Sequence, residues 1–117
     1  MKFTHDTQDK IWKLTIEDDL IGQDDGTKML ESATEAANAG INLCCADIGK
    51  VRFMNSSGLG LLITLLTKFR NKGGEMYLVN PSSSVQKLLI ITKLTSIFNI
   101  APTVEEALSK LKNTSKS

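Results

Sequence analysis

The sequence predicts a single α/β domain: a mixed β-sheet of about five strands with about four helices, packed mainly on one face. Three observations carry the prediction. From Met29 onward, apolar residues at helical spacing alternate with short apolar runs, the pattern of parallel strands joined by crossover helices. One of those runs, "INLCCADI", is apolar almost throughout, as a strand covered on both faces must be. The stretch after Gly58 carries Leu59, Leu62, Ile63, Leu66 and Phe69 on one stripe, widened by Leu61 and Leu65. A helix that apolar sits deep against a sheet.

The elements follow in the order β-β-α-β-α-β-α-β-α. "FTHDTQ" and "KIWKLTIED" are two neighbouring strands with "QDK" as their turn, the first expected at an edge and pairing differently from the rest. Met29, Leu30, Ala33, Ala36 and Ala37 then recur at helical spacing, with Asp24 and Asp25 placed to complement the helix dipole and "NAG" supplying a glycine stop. After "INLCCADI" comes the apolar helix, which ends in "RNKGG", a basic last turn followed by glycine. "EMYLVN" is a strand closed by Pro81. The serines from Ser82 to Ser84 cap a helix carrying Val85, Leu88, Leu89 and Thr92 near one face. "IFNIA" is a short strand, and "TVEEALSKLK" a last helix starting at Thr103 with Glu106 in the capping-box position.

At 117 residues, 41% hydrophobic and 23% charged, the chain has room for one core only. Residues 1–112 form the expected domain and 113–117 a flexible polar tail. A net charge of +1 gives no electrostatic footprint for nucleic acid or an anionic membrane, so neither is an expected partner. The longest apolar-rich segment, Leu59 to Leu66, is too short to span a bilayer, and the opening residues lack the apolar region of a signal peptide. Cys44 and Cys45 are adjacent in a strand and point to opposite faces, which suits neither a disulfide nor a zinc site. A reducing cytoplasm is expected.

Catalysis has little support. The lone histidine, His5, lies in an edge strand. Met54 stands where a nucleophile elbow needs its first glycine, and a serine with no base beside it is a poor nucleophile. Ile63 fails the third glycine of a dinucleotide fingerprint begun at Gly58, and no Ser or Thr follows Lys50 as a phosphate-binding loop requires. "EDDLIGQDDG" lacks the alternating acids and distal glutamate of a calcium loop.

One segment stands apart. In "RFMNSSGLG" two serines precede a helix whose first turn carries Gly58 and Gly60. Either serine would serve as a cap, worth about 1 kcal/mol. Each glycine inside a helix costs up to about 1 kcal/mol against alanine. The sparse side chains leave an open turn of backbone N–H groups at the positive end of the dipole, where another protein can approach and a phosphate would add charge.

"VRFMNSSGLGLL", "GGEMYLVNPSSSVQKLL" and "IFNIAPTVEEALSKL" resemble the STAS domain of bacterial anti-sigma factor antagonists, and the similarity runs over nearly the whole chain. The resemblance implies a STAS fold and a cytoplasmic, non-enzymatic regulator of transcription without a cofactor. It also implies that Ser56 is phosphorylated by a partner kinase of the histidine-kinase-like ATPase type that is itself the anti-sigma factor. The unmodified form would bind that kinase and release sigma, and a PP2C-type phosphatase would restore it. Family contacts carry over to Met54, Asn55, Ser57, Gly58 and Leu59, with Ile21 and Gly22 nearby. Asn55 stands where most phosphorylated members have aspartate. Monomer and weak dimer are both compatible with such a domain. Two other readings accompany this one: a constitutive STAS interaction module in which Ser56 only caps the helix, and a small-ligand or nucleotide sensor using the helix N-terminus as a phosphate cradle.

Overall fold

A computed structural model describes residues 2–21 and 26–115. The elements are β1 (Phe3–Gln8), β2 (Ile11–Ile16), α1 (Gly26–Asn38), β3 (Leu43–Asp47), α2 (Ser56–Asn71), β4 (Glu75–Val79), α3 (Ser83–Ile91), β5 (Asn99–Ala101) and α4 (Val104–Ser115), in the predicted order. They build one five-stranded sheet with strand order β1-β2-β3-β4-β5. β1 is antiparallel to β2, and the remaining pairs are parallel. The hairpin turn uses Asp9 and Lys10, both at positive φ (53° and 64°), which matches the twist of the two strands.

Strand periodicity sorts the core into two layers. Trp12, Leu14, Ile16, Cys44, Ala46, Met76 and Leu78 face α1, α2 and α3, which bury Met29, Ala33, Leu62, Leu65, Phe69, Val85 and Leu89 against them. On the other face Ile11, Leu43, Cys45, Val79 and Ala101 pack against Ala107 and Leu111 of α4. Three helices thus share one face and a single helix covers the other. The two thiols fall in different layers, as the alternation demands, and both are free and buried. Burial pushes Cys45 up to about 11 and raises Cys44 as well, so neither is a thiolate near neutral pH.

The C-terminal boundary differs from the expected one. α4 runs to Ser115, so residues 113–115 continue the helix instead of starting a tail. Leu111 is fully buried and Lys112 pairs with Asp9 at 2.9 Å, which anchors the last turns to the β1–β2 hairpin. The expected dipole acids Asp24 and Asp25 lie outside the described residues.

Candidate interaction site at the start of α2

The segments following β2 and β3 run side by side, laced by backbone. The Leu20 N–H donates to the Phe53 carbonyl (2.9 Å) and the Asn55 N–H to the Leu20 carbonyl (3.1 Å), giving a parallel bridge between Leu20 and Met54. Asp19 Oδ1 accepts from the N–H groups of Arg52 (3.1 Å) and Phe53 (3.3 Å). Lys50 reaches Glu17 at 3.3 Å. An acid that composition alone could assign to a calcium loop is therefore occupied in holding the next segment.

Asn55 is the joint. Its backbone is extended (φ −101°, ψ −178°) and its Oδ1 accepts from the Gly58 N–H at 2.8 Å, so it is the N-cap of α2. Its Nδ2 donates to the Ile21 carbonyl at 2.9 Å. One side chain thus caps the helix and clasps the neighbouring segment. Aspartate could perform the first task, but having no donor when ionised it could not perform the second.

Serine capping, expected from the sequence, is not what occurs here. Asn, Asp and Ser cap about equally well, and the helix begins one residue earlier than a serine cap would require. Ser56 and Ser57 occupy the first two helical positions instead, where a side chain points away from the axis. Both are exposed. Among the described residues, neither hydroxyl and neither backbone N–H of the pair has a hydrogen-bond partner. The first turn contains no acidic residue. The site thus offers two exposed hydroxyl oxygens and two backbone donors at the positive end of a helix of 16 residues.

The glycines divide. Gly58 is buried, and a Cβ there would land on the backbone carbonyl of Leu20. Its smallness lets α2 start directly against the laced segment, an internal requirement and not clearance for a partner. Gly60 has nothing within 4 Å of an added Cβ, so it is the open one.

Of the other residues expected at a partner surface, Met54 is half-buried beside Leu20, and Leu59 is buried in the core. Leu59 and Gly58 therefore shape the turn from within. Ile21 is brought onto the turn by Asn55 and stays 48% exposed. Gly22 lies outside the described residues. Sequence reading passed over Phe53, which is 61% exposed beside Met54. In sequence it reads as the continuation of an apolar strand, yet β3 ends at Asp47 and leaves Phe53 on the surface. His5 lies elsewhere, on β1, with its ring 6.2 Å from Phe3 and 5.5 Å from Trp12.

The sheet thus presents a partly apolar turn with exposed hydroxyls at the start of α2. The family follows from comparison with known proteins. The family model for the STAS domain matches residues 8–107, and the chain belongs to that family. A protein of Thermotoga neapolitana, named as a candidate anti-sigma factor antagonist, is 32% identical over 77 residues, covering 66% of this chain and 68% of its own. The crystal structure of a candidate anti-sigma factor antagonist from Thermotoga maritima shares the fold with a TM-score of 0.84, at 22% identity and over 94% of each chain. The anti-sigma factor antagonist SpoIIAA in its unphosphorylated form gives 0.81, at 20% identity over 96% of this chain and 97% of that one. The Bacillus cell fate determinant SpoIIAA in its phosphorylated form gives 0.73, at 20% identity over 93% and 98%.

Proposed function

We propose that this chain is an anti-sigma factor antagonist that works by partner switching, with Ser56 as the phosphoacceptor. The observation that carries the reading is the division of labour at the turn: Asn55 does the capping, so the Ser56 hydroxyl is exposed and without a hydrogen-bond partner among the described residues. Names among the relatives point the same way. In this reading the unmodified turn docks an anti-sigma factor that is also a serine kinase of the histidine-kinase-like ATPase type. Ile21, Phe53 and Met54 provide apolar contact, and Asn55 and Ser57 provide polar contact. A phosphoryl group on Ser56 brings about −1.5 to −2 charges to the centre of that surface. The N–H groups of Ser56 and Ser57, which have no partner among the described residues, and the helix dipole can hold it in place, so the fold stays as it is while the contact is lost. A PP2C-type phosphatase would reset the switch. No step requires a cofactor, and the chain acts as substrate and ligand, not as catalyst.

Titration calorimetry against the cognate kinase tests this. Ser56→Ala is expected to bind like the wild type and to stay bound when ATP is added. Ser56→Asp is expected to bind at least about tenfold more weakly, since a charge now sits in a desolvated contact. Equal binding of all three proteins would refute the switch.

A constitutive interaction module is the second reading, and Asn55 favours it, because an amide stands beside the hydroxyl where many phosphorylated relatives of the family carry a carboxylate. Intact-mass measurement of the protein from its native cells separates the two. A phosphorylated species under any growth condition supports switching, and its absence under all of them supports the module.

A further inference from the structure

We propose that the outer edge of β1 pairs with the β1 of a second copy of this chain, in an antiparallel register centred on Thr4, so that two five-stranded sheets join into one. No residue of the Ser56 turn takes part, so the inference stands apart from the switch.

The two edges of the sheet are β1 and β5. β5 has three residues and is followed by Pro102, which blunts it as a template for pairing. β1 has six residues, contains neither Gly nor Pro, and pairs with β2 without a bulge. Every side chain from Thr4 to Gln8 is exposed. The Glu17 N–H donates to the Lys2 carbonyl at 2.8 Å, so Lys2 turns its backbone toward β2. By the alternation of an antiparallel ladder, Thr4, Asp6 and Gln8 do the same, and Phe3, His5 and Thr7 turn theirs outward. The outward N–H of Thr7 is already taken by Asp6 Oδ1 at 2.8 Å. Those of Phe3 and His5 have no partner among the described residues.

The strand is complementary to itself in one register. With Thr4 facing Thr4 of the second copy, Phe3 and His5 exchange backbone hydrogen bonds with His5 and Phe3 of that copy. This uses the outward groups of both residues and leaves Thr7 out. Lys2 then faces Asp6 of the second copy, and the two-fold axis makes that pair twice, at ladder positions where side chains come closest. On the other face Phe3 meets His5 of the second copy, extending a row in which the His5 ring lies 6.2 Å from Phe3 and 5.5 Å from Trp12. The flanking registers set Lys2 against Thr4 or Gln8, and a further slip sets Asp6 against Asp6. Neighbouring charges leave the pair available. Lys13, opposite Asp6 on β2, bonds Gln8 at 3.0 Å, and Glu17 pairs with Lys50 at 3.3 Å. Asp9 pairs with Lys112, and neither Lys2 nor Asp6 forms a salt bridge among the described residues. Across the hairpin Lys2, Lys10 and Lys13 balance Asp6, Asp9 and Glu17, so the copies meet without net repulsion. A contact confined to Lys2–Asp6 is smaller than the roughly 20–30 residues a side of a standard interface, so the dimer is a reversible one.

Sedimentation equilibrium of the full chain over a concentration series tests the proposal. A monomer–dimer equilibrium is expected, with amide hydrogen exchange slowing at Phe3 and His5 as concentration rises. Lys2→Asp and Asp6→Lys each set like charges opposite one another twice, and each is expected to weaken dimerisation at least about tenfold. An equimolar mixture of the two variants restores both pairs and should dimerise like the wild type, as should the chain carrying both substitutions. Both side chains are exposed, and unchanged thermal unfolding of the variants confirms that they fold. The proposal is overturned by a chain that stays monomeric at millimolar concentration, or by a dimer that the single charge reversals leave intact. A mixture that fails to recover the dimer would overturn it too, as would exchange that slows elsewhere and not at Phe3 and His5.

Discussion

The starts of α2 and α3 look alike in sequence and differ in construction. Each helix follows a strand and a short polar segment with consecutive serines, "NSSG" before one and "PSSSV" before the other. At α3 the first serine does what a serine usually does: Ser82 Oγ accepts from the Val85 N–H at 3.3 Å, and Gln86 closes the turn onto the Pro81 carbonyl. At α2 the asparagine takes the cap, clasps a second segment through Ile21, and leaves the hydroxyls of the two serines without a partner among the described residues. One turn is closed upon its own chain. The other is held from behind by Leu20 and faces outward with Ile21 and Phe53 around it. A helix cap can thus be a purely local device or the point where two segments are fixed into a surface, and the residue type alone does not say which.

Substitutions separate the two constructions by size of effect. Gly58→Ala forces a methyl group onto the Leu20 carbonyl, and backbone cannot swing aside as a side chain can. A loss of about 3 kcal/mol is expected in urea unfolding. Gly60→Ala, where the space is open, should instead stabilise by up to about 1 kcal/mol. Asn55→Ala removes the cap and the clasp together, for an expected loss of about 2 kcal/mol. Asn55→Asp keeps the acceptor and suits the dipole, so stability should change by less than about 1 kcal/mol. A carboxylate facing the Ile21 carbonyl should nevertheless loosen the lacing, seen as faster exchange of the Leu20 and Asn55 amides. Ser82→Ala loses only a local cap, about 1 kcal/mol, with no change in partner binding at the α2 turn. Ser56→Ala breaks no hydrogen bond among the described residues and should fall within about 0.5 kcal/mol of the wild type. A large loss there would mean that Ser56 is structural after all.

Most of the fold was legible in the sequence because it rests on periodicity. The continuous run at Leu43–Asp47 and the wide stripe of α2 required a two-faced strand and a deep helix, and both are present. The caps were legible too: the serines from Ser82 to Ser84 were expected to cap α3 and Ser82 does so, and Thr103 Oγ1 accepts from the Glu106 N–H. At α2 the competition is between residues of equal capping strength, and a tertiary contact decides it: the Ile21 carbonyl, 34 positions away, fits an amide donor. The two roles of glycine were hidden for the same reason, because the neighbour of Gly58 is the backbone of Leu20. Phe53 was missed because apolarity predicts burial, and only the end of β3 at Asp47 releases it to the surface. Local pattern fixes elements; contacts between distant segments fix the site.

The central claim is that Asn55 holds the turn so that Ser56 is the switch. Phosphopeptide mapping by tandem mass spectrometry, after incubating the full chain with its cognate kinase and ATP, addresses it most directly. The account predicts a phosphoryl group on Ser56 and none on Ser83 or Ser84 at the α3 turn. Phosphate on the α3 serines, or none on the chain at all, would contradict it.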